Sequence, residues 1–140
     1  PEMSCFEVTS KIIENLNKKS YNFILSNYAN TDMVGHTGSI EATVKAVEAV
    51  DFCIERIYRA SKENGYTLVL TSDHGNADLM YNFELDEVCT THSMNPVPFI
   101  ICSDSKLSLQ GGILGDIAPT VLEIMRITKP ITMSGESVIK

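Results

Sequence analysis

The chain has 140 residues, of which 44% are hydrophobic and 21% charged. This ordinary globular composition excludes disorder and low-complexity sequence and suits one domain with a buried core. Eleven Lys and Arg stand against 18 Asp and Glu, a net charge of −7 spread without an acidic tail, which argues against a nucleic-acid or anionic-membrane surface. The longest apolar run, residues 97–102, is far short of the roughly 18 residues of a membrane span. The opening Pro-Glu-Met-Ser has neither the basic start nor the apolar stretch of a signal peptide, so a cytoplasmic setting is expected.

Residues 6–16 carry apolar side chains at 6, 8, 12, 13 and 16 and run into Asn17-Lys18-Lys19, which predicts a helix with a basic end. Residues 21–28 (YNFILSNY) are aromatic and branched, too short for a helix, and predict a strand covered on both faces. A loop with two glycines follows at 29–38. Ser39 caps the clearest helix, which reaches Asn64 with Val44, Val47, Val50, Ile54 and Ile57 at helical spacing and Gly65 as its stop. Residues 66–71 (YTLVLT) predict a second buried strand, and the helix between the two strands predicts that they run parallel. Residues 97–102 (VPFIIC) predict a third strand, and 116–125 a short closing helix that tolerates Pro119 near its start. The pattern reads as an α/β fold, a mostly parallel sheet with helices on both faces, and ligands in such folds gather beyond the carboxyl ends of the strands.

The three histidines all fall in predicted loops: His36 after the first strand, His74 directly after the second, His92 just before the third. Asp32 lies four residues before His36, and Asp73 directly before His74. Mixed Asp/His sets bind divalent metals of borderline softness. A lone loop histidine is ordinarily solvated or a cap, but three out of three near strand ends, two with carboxylates beside them, point to a metal site. Five candidate ligands exceed one tetrahedral site and fall short of two complete ones, so a second ion would draw on groups outside the chain, on water or on substrate. The cysteines, Cys5, Cys53, Cys89 and Cys102, form no C-x-x-C pair and no zinc-ribbon spacing, and are expected to be free thiols with Cys53 against the core.

Six stretches, PEMSCFEVT, NYANTDMVGHTGSIEATVKAVEAVD, TLVLTSDHGNADLM, THSMNPVPFI, GGILGDIAPTVLEIM and MSGESVI, together resemble the cofactor-independent (2,3-bisphosphoglycerate-independent) phosphoglycerate mutases of the alkaline phosphatase superfamily. Departures include Thr91, where alanine is usual, and residues 81–89, which lack the usual glycines. The resemblance implies that Asp32, His36 and His92 hold one Mn²⁺ and that Asp73 and His74 contribute to a second, with Mg²⁺, Zn²⁺ or Co²⁺ as substitutes. It implies an alkaline-phosphatase-like fold that is incomplete, residues 1–140 being the carboxy-terminal part of the metal-binding phosphatase domain. The nucleophilic serine, one more aspartate, a lysine and the inserted domain that grips phosphoglycerate would lie upstream of Pro1. The whole enzyme, expected to be a monomer, would interconvert 3-phosphoglycerate and 2-phosphoglycerate in glycolysis and gluconeogenesis through a phosphoserine intermediate, and the isolated chain would be inactive. Two other readings stand beside it: a related phosphomutase or phosphatase of the same superfamily, and a non-catalytic metal-binding module.

Overall fold

Two helices, α1 (Cys5–Lys18) and α3 (Ile40–Asn64), pack on each other in the computed structural model, which describes residues 1–140. The ends of α3 are those its sequence predicts. The Ser39 hydroxyl accepts from the Ala42 N–H at 3.3 Å, and Gly65 closes the helix at φ +77°, a left-handed conformation that costs glycine nothing. The buried face is not the predicted one. Of the stripe Val44, Val47, Val50, Ile54 and Ile57, only Ile57 is fully buried, and Val44 and Val47 are about half exposed. Thr43, Ala46, Cys53, Ile57 and Ala60 face inward instead. Small side chains let helices approach closely, and that approach decides the buried face over the larger valines.

The core joins Leu16, Ile57 and Ala60 with Ile12, Ile13, Ile24, Tyr28, Tyr66 and Leu68 around them. Beside it, the fully buried Thr9 hydroxyl donates to the Cys5 carbonyl and shares a 2.7 Å hydrogen bond with Tyr28 Oη. Leu16 is 3% exposed, so Leu16→Ala should cost about 2–5 kcal/mol, read as a lowered midpoint in chemical denaturation. All four cysteines are free; Cys5 and Cys53 are buried, and burial raises the Cys5 pKa. A thiol reagent should therefore modify Cys89 and Cys102 first and reach four thiols only on unfolding; fewer than four in freshly purified, reductant-free protein would contradict this.

The sheet departs from expectation. β1 (Leu68–Thr71) pairs with β4 (Phe99–Cys102), antiparallel, Leu68 opposite Cys102 and Thr71 opposite Phe99. Residues 21–28 form no strand. They pack Ile24 and Tyr28 against the core and leave Tyr21, Phe23 and Leu25 exposed, and β1 pairs with β4 alone. The parallel pair predicted for residues 21–28 and 66–71 is thus absent, and the sheets present are two antiparallel pairs. Both strands also start two residues later than predicted, and β4 follows Pro96 and Pro98, which have no N–H to give to a ladder.

Between β1 and β4 the chain turns back through a hairpin, β2 (Tyr81–Asn82) and β3 (Glu87–Val88), without any glycine. Asn82 Oδ1 accepts the N–H groups of Glu84 and Leu85, and Asp86 takes the left-handed turn position at φ +52°. The loop predicted at 29–38 contains a short helix, α2 (Asn30–Gly35), whose last carbonyls are met by N–H groups of residues 36–38.

Residues 104–140 form a second compact unit, where the length suggested one core. A 3₁₀ turn (Leu114–Asp116) leads into α4 (Ile117–Ile124), and residues 108–110 bond the closing strand-like segment through a Leu109–Ile139 bridge. Asp116 accepts the N–H of Ile113 and that of Glu136, each at 2.9 Å, and these bonds hold its carboxyl below the usual carboxylate range. Fully buried Thr120 donates to the Asp116 carbonyl and accepts from the Val138 N–H. No helix is long and apolar enough to cross a membrane.

Candidate metal centre

Three loops of the first unit bring all three histidines to one carboxylate oxygen. Asp32 is in the first turn of α2 and His36 caps its end, so a four-residue spacing sets both side chains on one helix face. Asp32 Oδ1 lies 3.3 Å from His36 Nε2, 3.2 Å from His92 Nε2 and 4.0 Å from His74 Nδ1. His74 and His92 stack, ring centroids 3.7 Å apart, and the Nε2 atoms of His92 and His36 are 3.2 Å apart. Asp32, His74 and His92 each offer one ligand atom within 4.8 Å of the other two.

Asp73 stands aside. Its side chain is 74% exposed, and its closest link to the cluster is Oδ1 at 3.7 Å from His74 Nε2. The structure therefore gathers Asp32, His36, His74 and His92 into one group, with Asp73 at the edge. The hydroxyl of Ser72 donates to the His74 carbonyl and shapes the turn after β1.

The backbone arranges this convergence. The His36 ring meets the Thr90 carbonyl through Nδ1 at 2.6 Å; since a carbonyl only accepts, Nδ1 carries the proton and a neutral His36 presents a lone pair at Nε2. Metal-ligating imidazoles are held in this way. Thr90 follows the β2–β3 hairpin, whose Val88 packs so closely on Gly38 that a Cβ there would come within 2.8 Å of Val88 Cγ1. An isolated bridge pairs Gly75 with Ser93, the Ser93 N–H donating to the Gly75 carbonyl at 2.8 Å, and this places His74 beside His92. Asp78 reinforces the junction: its carboxylate accepts from the Ser93 hydroxyl at 2.8 Å and the Asn95 amide at 2.6 Å. The Asn95 bond, with help from Ser93, keeps the Asp78 carboxyl below its usual range. A Cβ at Gly75 would sit 2.2 Å from Ser93 Oγ and 2.6 Å from Asp78 Oδ1, so a side chain there would displace this junction.

The residues present fit a divalent cation. His74 Nδ1 is buried without a hydrogen-bond partner, 4.0 Å from Asp32 Oδ1, and a divalent cation bound beside it would satisfy it. One carboxylate among imidazole nitrogens is a donor set for Mn²⁺, Co²⁺ or Zn²⁺. A cleft of about 350 Å³ opens beside it, lined by Asp32, Asp73, His74, Asp78 and Pro98, with room for a small ligand. Asn76, Asp78, Thr90 and Ser93 were not picked out as site residues from the sequence. Their signal was available only as a density of small polar residues and glycine flanking His74 and His92.

A family model described as the metalloenzyme superfamily matches residues 1–129. Among curated relatives, the 2,3-bisphosphoglycerate-independent phosphoglycerate mutase of Ehrlichia ruminantium (strain Gardel) is 46% identical over 140 residues, 99% of this chain and 28% of its own length. That of Clostridioides difficile (strain 630) is 48% identical over 142 residues, again 99% of this chain and 28% of its own. A Leishmania mexicana phosphoglycerate mutase, solved at low cobalt concentration, superposes on the whole chain at TM-score 0.88 and 28% identity, using 29% of its own length. The chain thus spans little more than a quarter of the proteins it matches.

Proposed function

The chain belongs to the metalloenzyme superfamily, and from that premise we propose that it is the metal-holding, carboxy-terminal part of a 2,3-bisphosphoglycerate-independent phosphoglycerate mutase. The observation that carries the reading is the convergence of His36, His74 and His92 on Asp32 Oδ1 within 4.0 Å. In this reading the whole protein interconverts 3-phosphoglycerate and 2-phosphoglycerate in the cytoplasm, as an isomerase with two Mn²⁺ ions. Asp32, His36 and His92 would hold one ion, and Asp73 and His74 would contribute to the other. A divalent ion bound there supplies Lewis acidity toward phosphoryl and alkoxide oxygens.

This chain's own residues prepare that chemistry. The Thr90 carbonyl keeps the His36 Nε2 lone pair turned to the site. Asp32 supplies negative charge at the meeting point, and the Asp78 junction fixes His74 against His92, so the donors are positioned before any ligand arrives. The Ser72 hydroxyl is committed to the His74 carbonyl, which supports a nucleophile supplied by the rest of the polypeptide. The exposed Tyr21, Phe23 and Leu25 support the same conclusion, because a run of open apolar side chains suits cover by further polypeptide. In the whole protein, residues 21–28 would then enter the mostly parallel sheet of an alkaline-phosphatase-like domain, to which residues 1–140 belong.

Calorimetric titration of the chain with Mn²⁺ and Co²⁺ tests the reading. Saturable binding that weakens on acidification is expected, because protons compete for the imidazole nitrogens. Absence of binding, or an affinity indifferent to acid, would contradict it.

A further inference from the structure

We infer that Asn76 is a positioning residue for this centre: its side-chain amide holds Asp32 in the orientation that presents Oδ1 to the histidines. The inference rests on the metal-centre reading above. Asn76 is only 6% exposed, and its Nδ2 donates to Asp32 Oδ1 at 3.1 Å and lies 3.4 Å from His36 Nε2. Its own carbonyl oxygen is buried with no partner. A side chain placed for local stability satisfies both ends of its amide; this one leaves its acceptor orphaned and spends its donor on the carboxylate at the meeting point. The opposite orientation would set Asn76 Oδ1 against Asp32 Oδ1, two acceptors face to face, so the carboxylate itself dictates which way the amide points.

The choice of residue fits a cation site. A lysine or arginine would also hold the carboxylate, but its positive charge would repel the ion, whereas an amide donates a hydrogen bond without carrying charge. The fold makes room for it at Gly35, the last residue of α2, where a Cβ would lie 2.0 Å from Asn76 Oδ1 and 2.9 Å from its Cγ. Gly35 and Asn76 are therefore one device: the missing side chain on α2 is the space in which the amide reaches back to Asp32, three residues earlier.

The test uses the 140-residue chain with Co²⁺, whose visible absorption reports ligand geometry and whose affinity is read by calorimetry. Asn76→Leu keeps the bulk and removes the donor; Gly35→Ala keeps the donor and pushes it away. Each is expected to weaken Co²⁺ binding by about 10- to 100-fold, the usual effect of losing an outer partner of a metal ligand, and to alter the visible bands. The double variant should be no weaker than the weaker single one, since both changes break one contact. Wild-type affinity and spectrum in either folded variant, checked by far-UV circular dichroism, would overturn the inference, as would losses that add. If Asn76→Leu does not fold, Gly35→Ala alone decides by the same two readouts. His92→Ala separates the two levels: if it binds Co²⁺ like the wild type, the metal-centre reading fails, and if it loses binding while the Asn76 and Gly35 variants keep theirs, only the positioning role fails.

Discussion

Supplied with Mn²⁺, the chain on its own should leave 3-phosphoglycerate unconverted, and in place of the matching stretch of the C. difficile mutase it should support turnover. The expected contrast spans orders of magnitude, since enzymes accelerate such reactions by roughly a millionfold or more and, on the proposed reading, the chain alone lacks two requirements at once. One is a nucleophile. Ser72 and Ser93, each next to a candidate ligand in sequence, donate their hydroxyl hydrogens to the His74 carbonyl and the Asp78 carboxylate. The other is a grip on the substrate: the cleft beside the centre is lined by Asp32, Asp73 and Asp78, which repel phosphate and carboxylate when no cation covers them. At most, a metal-activated water would hydrolyse an activated phosphate ester slowly. Turnover by the isolated chain would place the nucleophile within it and overturn the assignment of roles. A folded, metal-loaded chimera with no turnover would break the link to the mutase reaction.

The second large effect concerns the ligands. Asp32→Asn and His92→Ala should each weaken binding of the first ion by more than about 100-fold, the upper end of what losing an outer partner costs. Both side chains sit at the centre of the cluster. Asp32 Oδ1 has all three histidines around it, and His92 Nε2 lies 3.2 Å from both Asp32 Oδ1 and His36 Nε2. Asp73→Asn should change that affinity far less, because the Asp73 side chain is mostly exposed and reaches only His74. Equal losses in the three variants, measured by calorimetry, would mean that the ion sits elsewhere.

How much of this was legible in the sequence depends on whether the determinants are local. The ends of α3 were, because Ser39 and Gly65 act on their own backbone neighbours. Strand composition was legible too, but not pairing: residues 21–28 look like a strand by residue type, yet a ladder needs a neighbour that the stretch itself does not specify, and here it has none. Helix α2 was hidden because Gly35, Gly38 and the short polar residues around them read as a loop, although the Asp32 to His36 spacing is that of one helical turn. Within the site, the candidate ligands stood out as rare residue types beside carboxylates. Asn76 and Asp78 did not, because an amide or carboxylate in a polar loop acquires meaning only when its partner, Asp32 for Asn76 and Ser93 with Asn95 for Asp78, is folded against it.

The most direct measurement is anomalous diffraction from crystals of the chain loaded with Mn²⁺ or Co²⁺. The account predicts an anomalous peak within coordination distance of Asp32 Oδ1 and His92 Nε2, with His36 Nδ1 still on the Thr90 carbonyl. A loaded crystal with no peak at Asp32, or with the ion held by exposed carboxylates elsewhere, would contradict it.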